Sequence, residues 1–153
     1  MGYSPSLAGG VLVWANVGGL VGSLLFSALS LRFSLRALLV LFMLASTAMV
    51  SLFGQGQADL HGLSLAAAAS GFCTNAGVVG LYAIVASSFP TAIRAGGTGF
   101  VIGIGRGGAA LGPIVGGLLF QMGLGLATVA TVMACGSLLA AVALLALPSP
   151  ATR

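Results

Sequence analysis

Five long apolar runs divide the chain, and most of its polar and charged residues lie between them. The runs cover residues 7–31, 37–54, 62–86, 97–120 and 124–147. Each is close to the roughly 20 helical residues that cross a hydrocarbon core at about 1.5 Å per residue. None alternates polar and apolar positions, as a lipid-facing strand would. The pattern predicts an all-α membrane protein with about five transmembrane helices, folded as a single domain over residues 1–153.

The composition excludes most soluble and catalytic classes. The chain is 59% hydrophobic and only 4% charged, whereas soluble domains carry about 25% charged residues, so the lipid bilayer is its expected partner. Its five basic residues are scattered, and nucleic-acid binding needs a clustered basic face. With one Asp, no Glu and one His, the chain lacks the groups for a carboxylate pair, a metal site or a catalytic triad. We therefore expect no enzyme activity, no metal and no cofactor.

The arginines outside the apolar runs predict the orientation of the chain. Arg32 and Arg36 follow the first helix, Arg94 follows the third and Arg153 follows the fifth. With alternating helices, all four lie on one side of the membrane, and Asp59 lies on the other. Arginine-rich loops mark the cytoplasmic side. We therefore expect a protein of the cytoplasmic (inner) membrane that starts outside and has a cytoplasmic C-terminus.

Arg106 is the most informative single residue, because it lies near the middle of the fourth apolar run. An arginine at a helix centre costs about 2.5–3.5 kcal/mol on insertion scales. It could pair with backbone carbonyls and water, or it could bind an anion such as a substrate carboxylate. Asn16 and Asn75 also lie at depth, where they could link helices or line a polar cavity. Arg106, Asn75 and Asn16 are the candidate substrate-binding residues.

Small residues recur every four positions in the fourth run, and this spacing places them on shared helix faces. Such rows predict close helix packing, or a surface along which helices slide during transport. Gly18 and Gly22 have the same spacing in the first run. Pro113 can kink the fourth helix. Gly103–Gly108 matches GxGxxG by letter, but it follows no strand and is no dinucleotide site. The packing candidates are Gly99, Gly103, Gly107, Gly108, Gly112, Gly116 and Pro113.

Two segments resemble one family of membrane transporters. The stretch FPTAIRAGGTG at 89–99, followed by Gly103-Ile104-Gly105-Arg106 and Gly112-Pro113, resembles the loop between helices ten and eleven and the eleventh helix of the major facilitator superfamily. It is most similar to the aromatic acid:proton symporter branch. The segment 22–36 resembles the loop motif between helices eight and nine. The resemblance implies a partial C-terminal bundle, helices eight to twelve, with Arg32, Arg36 and Arg94 in cytoplasmic loops that take part in gating.

The resemblance implies the C-terminal portion of a symporter for small organic acids, aromatic ones in particular. Its implied partners are the organic anion and a proton, which would be coupled through the absent half. Two departures stand out: Leu31 replaces the usual loop Asp, and the first seven helices of the family are missing. The chain would then be a fragment of a longer product or a degraded paralogue. The alternative class is a small, non-transporting membrane protein that acts only as a packing or assembly partner. A wide pore is disfavoured, since few polar residues share a face.

Overall fold

The computed structural model describes residues 5–56 and 59–146, which form five α-helices joined by short loops. They are α1 (Pro5–Leu29), α2 (Leu35–Gly54), α3 (Leu60–Ser88), α4 (Arg94–Gln121) and α5 (Leu126–Ala146). Within this described part, all five are long and apolar enough to cross a membrane. The prediction of an all-α membrane fold with about five transmembrane helices is confirmed.

The helix ends differ by a few residues from the ends of the apolar runs. α3 continues to Ser88 and stops just before Pro90, because a residue preceding proline is disfavoured in the helical conformation. α4 begins at Arg94, ahead of its apolar run, and continues through Pro113 to Gln121. Polar residues can extend a transmembrane helix beyond the hydrocarbon core, so hydropathy alone marks the core segment of each helix and not its caps.

α3 is the central helix of the bundle. α1 and α2 pack against it, α5 packs against α2, and α4 makes only light contact with α3 and α5. The α1–α3 contact is unusually close. A Cβ atom added at Gly18 would overlap the backbone of Ala68, and one added at Gly22 would overlap the backbone of Phe72. Close packing through Gly18 and Gly22 is therefore confirmed, and glycine is required there for space.

The core lies between α1, α2, α3 and α5. The ring of Phe42 on α2 contacts Phe26 edge-on with centroids 5.4 Å apart, and stacks on Phe72 at 5.9 Å. Both geometries are favourable for aromatic pairs. The cluster of buried apolar side chains consists of Phe26, Leu38, Leu39, Phe42, Met43, Ala76, Ala141 and Leu144.

A cluster of three hydroxyls crosses the same core. Ser46 of α2 is fully buried. Its Oγ lies 2.9 Å from Thr74 Oγ1 of α3 and 3.4 Å from Ser137 Oγ of α5. Thr74 immediately precedes Asn75 in the chain, so this cluster also fixes the rotation of α3 where it presents Asn75.

α4 stands apart, because none of its residues is buried. A Cβ at Gly112 would lie 3.7 Å from Met133 Cε of α5, an ordinary contact. At the other predicted packing glycines, nothing in the described part of the chain lies within 4 Å of an added Cβ; these are Gly99, Gly103, Gly107, Gly108 and Gly116. The packing role of this face stays a prediction, and its partner is not another helix among residues 5–56 and 59–146.

Candidate functional site

Two cavities lie along one face of α3. Their α3 lining consists of residues 67, 70, 71, 74, 75, 78, 81, 82 and 85. Residues three or four apart share a helix face, so this is a single strip. At 1.5 Å per residue it is about 27 Å long, close to the ~30 Å thickness of a hydrocarbon core. The strip is therefore long enough to line a path through most of the membrane.

The first cavity, which we call the amide cavity, lies between α1 and α3 with Phe53 of α2 at its edge. Its volume is about 480 Å³, and its polar lining comes from Asn16, Ser70, Thr74 and Asn75. Among the described residues, no charged side chain lines it.

Both asparagines in the amide cavity bond back to their own helices. Asn16 Nδ2 donates to the carbonyl of Leu12 at 2.8 Å, and Asn75 Nδ2 donates to that of Gly71 at 3.1 Å. Each amide therefore uses one of its two N–H groups in a bond to its own helix. Neither Oδ1 accepts a hydrogen bond from another described residue, so both remain free to accept one.

The second cavity, which we call the arginine cavity, lies between α3 and α4 and has a volume of about 530 Å³. Arg106, Asn75 and Tyr82 all line it. The fold thus brings two predicted site residues, Arg106 and Asn75, into one cavity. Asn16 lines only the amide cavity, so it meets Asn75 and not Arg106. Asn75 is the residue common to both.

In the described part of the chain, no carboxylate neutralises the charge of Arg106. Its guanidinium forms no hydrogen bond or ion pair with residues 5–56 or 59–146, and the single acid of the chain is Asp59, at the start of α3. Pro113 leaves the carbonyl of Ala109 without its usual helical N–H donor, and Ala109 is a lining residue of the same cavity. An unneutralised cation at mid-helix attracts an anion strongly in a low-dielectric region.

The loop arginines lie away from both cavities. Arg36 donates to the carbonyl of Leu145 at 2.9 Å, which places the start of α2 and the end of α5 at the same end of the bundle. Arg94 Nε donates to the carbonyl of Phe89 at 3.3 Å. Arg32 is exposed, as is Leu31 at the position of the expected Asp. A gating role for Arg32, Arg36 and Arg94 stays a prediction.

Among the polar and aromatic lining residues, Tyr82, Ser70 and Phe53 were not predicted from the sequence. Tyr82 carried a usable signal, since it follows Asn75 by two helical turns and must share its face. Ser70 precedes Thr74 by one turn on that face. Phe53 carried none, because its place at the cavity edge depends on how α2 packs against α3.

A bundle of apolar helices with an arginine at mid-helix that lines a cavity is typical of membrane proteins that move charged solutes. The family model of the Major Facilitator Superfamily matches residues 1–153, so the chain belongs to this superfamily of transporters. The resemblance noted in the two loop segments is thereby confirmed.

Two relatives carry names of aromatic acid transporters. The chain is 31% identical over 153 residues to the 3-(3-hydroxy-phenyl)propionate transporter of Escherichia coli (strain K12), covering 99% of this chain and 38% of that protein. It is 33% identical over 132 residues to the gallate transporter of Pseudomonas putida, covering 86% and 29%. The chain thus spans 38% and 29% of the lengths of these relatives. No solved structure matches it.

Proposed function

We propose that this chain supplies the anion-binding part of a secondary transporter that carries small aromatic acids across the cytoplasmic membrane. The proposal rests on the position of Arg106. This residue lies at mid-helix, lines a cavity and has no carboxylate partner in the described chain. The names of the two relatives support the substrate class. Transporters of this kind bind substrate near the bilayer midplane, and Arg106 lies close to the middle of α4.

The arginine cavity can accommodate both the carboxylate and the ring of an aromatic acid. The planar guanidinium of Arg106 can bind a carboxylate through two parallel hydrogen bonds. Val78, Leu81 and Val85 of α3 give the cavity an apolar wall, and Tyr82 adds an aromatic ring. An aromatic substrate ring would pack there by apolar burial and by edge or offset contact with Tyr82.

The middle of each of the five helices contains no Asp, Glu or His. Proton relays in membranes use Asp, Glu or His. Here the acid is Asp59 and the histidine is His61, and both lie at the start of α3. Proton coupling is therefore proposed to depend on residues outside this chain.

The test is a hybrid transporter in which this chain replaces the matching 38% of the E. coli relative. We expect cells with the hybrid to accumulate radiolabelled 3-(3-hydroxyphenyl)propionate. Arg106→Lys should lower uptake at least tenfold at equal membrane level, because lysine keeps the charge but loses the bidentate fork. A protonophore added to the same assay tests the coupling.

Gln121→Leu is the control, since Gln121 is an exposed polar residue at the C-terminal end of the same helix and lines neither cavity. It should transport normally. Normal uptake by Arg106→Lys would mean that Arg106 has a structural role. A well-inserted hybrid without uptake would favour the second candidate function, a packing partner that does not transport, which the open face of α4 also suits.

A further inference from the structure

We propose that Gly19 of α1 is a positioning residue for the substrate site, because it leaves the space in which the Asn75 side chain of α3 is held. The proposal rests on the proposed function, in which Asn75 lines the arginine cavity together with Arg106. Gly19 itself lines neither the amide cavity nor the arginine cavity. It would therefore act on transport only through the direction of the Asn75 amide.

Gly19 is buried, and the atoms opposite it belong to a side chain. A Cβ added at Gly19 would lie 2.8 Å from Asn75 Cγ and 3.2 Å from Asn75 Cβ, and it would come closer still to Asn75 Nδ2. Carbon atoms in contact prefer a separation of about 3.5–4.0 Å, so a methyl group cannot fit unless the amide moves. An added Cβ at Gly18 or Gly22 would instead meet the backbone of α3. Of these three glycines, Gly19 is the one that lies against a candidate substrate-binding residue.

The contact determines how the amide of Asn75 is turned. Asn75 Nδ2 donates to the carbonyl of Gly71 at 3.1 Å and also lies against Gly19. The nitrogen end of the amide is thus held between two glycines, one on each helix. The oxygen end is left to accept a hydrogen bond, since Oδ1 accepts none from another described residue.

A methyl group at Gly19 should disturb the site more than the fold. Asn75 is exposed, so its side chain can rotate away from the methyl group without any separation of α1 from α3. At Gly22 the obstacle is the backbone of Phe72, which cannot rotate away. The main result of Gly19→Ala is then a displaced amide, whereas that of Gly22→Ala is a weaker helix contact.

The experiment measures KM and the maximal rate of uptake in the hybrid transporter. We expect Gly19→Ala and Asn75→Ala each to raise KM about fivefold, the effect of losing one hydrogen bond of about 1 kcal/mol. The maximal rate per inserted molecule should change less, because a contact made equally in the ground and transition states affects KM alone. Gly22→Ala should lower the amount of inserted protein and leave KM unchanged. Gly10→Ala should change neither, since its site is open.

A double variant separates positioning from packing. If Gly19 acts through Asn75, then Gly19→Ala should raise KM no further in an Asn75→Ala background, because the displaced Cγ and Nδ2 atoms are absent there. Should Gly19→Ala alone fail to insert, the contact predicts that the double variant inserts as well as Asn75→Ala does.

Several results would overturn the positioning role. They are an unchanged KM in Gly19→Ala or in Asn75→Ala, an equal rise of KM in Gly22→Ala, a further rise in the double variant, and a double variant that fails to insert. Each would leave the proposed function intact as long as Arg106→Lys still lowers uptake. A well-inserted hybrid without uptake would overturn both proposals.

Discussion

At the scale of single residues, the buried hydroxyls contribute more to specificity of packing than their number suggests. Ser46 is fully buried and has hydroxyl neighbours on two other helices, Thr74 and Ser137. Apolar surfaces slide past one another with little penalty in lipid, because lipid tails are as apolar as side chains. A hydroxyl pair at 2.9 Å has a definite geometry, so it sets the rotation of α3 and with it the direction of Asn75.

Ser46→Ala tests this role. The variant leaves Thr74 without its partner in a neighbouring helix. We expect a loss of about 0.6 kcal/mol in unfolding free energy, the average for interhelical hydrogen bonds in membranes, and at most about 1.7 kcal/mol. The measurement is unfolding in mixed detergent micelles. Ser51→Ala is the matched control on the same helix, since Ser51 Oγ bonds only to the carbonyl of Thr47 within α2. Equal losses in both variants would contradict the interhelical role.

At the scale of elements, glycines with the same spacing serve two different surfaces. In α1, Gly18 and Gly22 lie against the backbone of α3. In α4, Gly103 and Gly107 have no neighbour within 4 Å of an added Cβ in the described chain. The first pair is required for packing in this bundle. The second pair leaves a smooth surface on the helix that carries Arg106, suited to a partner that must approach closely or move.

Alanine substitutions should separate the two surfaces. Gly22→Ala should lower the unfolding free energy by about 1–3 kcal/mol, the usual cost of overpacking, because its methyl group would meet the backbone of Phe72. Gly10→Ala in the same helix and Gly107→Ala in α4 should be neutral or slightly stabilising, since their sites are open and alanine favours helix. Thermal unfolding in detergent measures all three. A similar change in all three variants would count against the close α1–α3 contact.

At the scale of the whole molecule, the loops that carry arginines lie at one end of the bundle. The hydrogen bond from Arg36 to Leu145 brings the start of α2 and the end of α5 together. Arg32 and Arg94 lie in or beside the loops at that same end, because short connections alternate the five helices. The Gln55 loop lies at the other end. If arginines mark the cytoplasmic side, one orientation accounts for all of them.

Impermeant thiol labelling tests this orientation. In a chain with Cys73→Ala and Cys135→Ala, Gln55→Cys should react in intact cells, and Ser34→Cys should react only after the cells are permeabilised. Both positions are exposed in loops or at a helix end. The reverse pattern would invert the proposed topology, and labelling of both positions in intact cells would contradict an odd number of membrane crossings between them.

The sequence by itself determined the number and type of elements. It also showed which residue is the most costly to insert into a bilayer. Bilayers admit only helices or closed barrels, so length and hydropathy sufficed to predict five helices. Arg106 stood out because a charge at that depth needs a reason. The loop segments also identified the superfamily.

Only the tertiary structure decided which polar residues meet. Because α3 has no distinct polar and apolar faces, its spacing shows that Asn75 and Tyr82 share a face but not whether that face lines a cavity or packs against a neighbour. The pairing of Asn75 with Arg106, the separation of Asn16 into a second cavity and the contact of Ser46 with Thr74 all depend on helix rotation. For the same reason, spacing alone could not tell the packed glycines of α1 from the open ones of α4, because what a glycine touches is decided by the neighbouring helix.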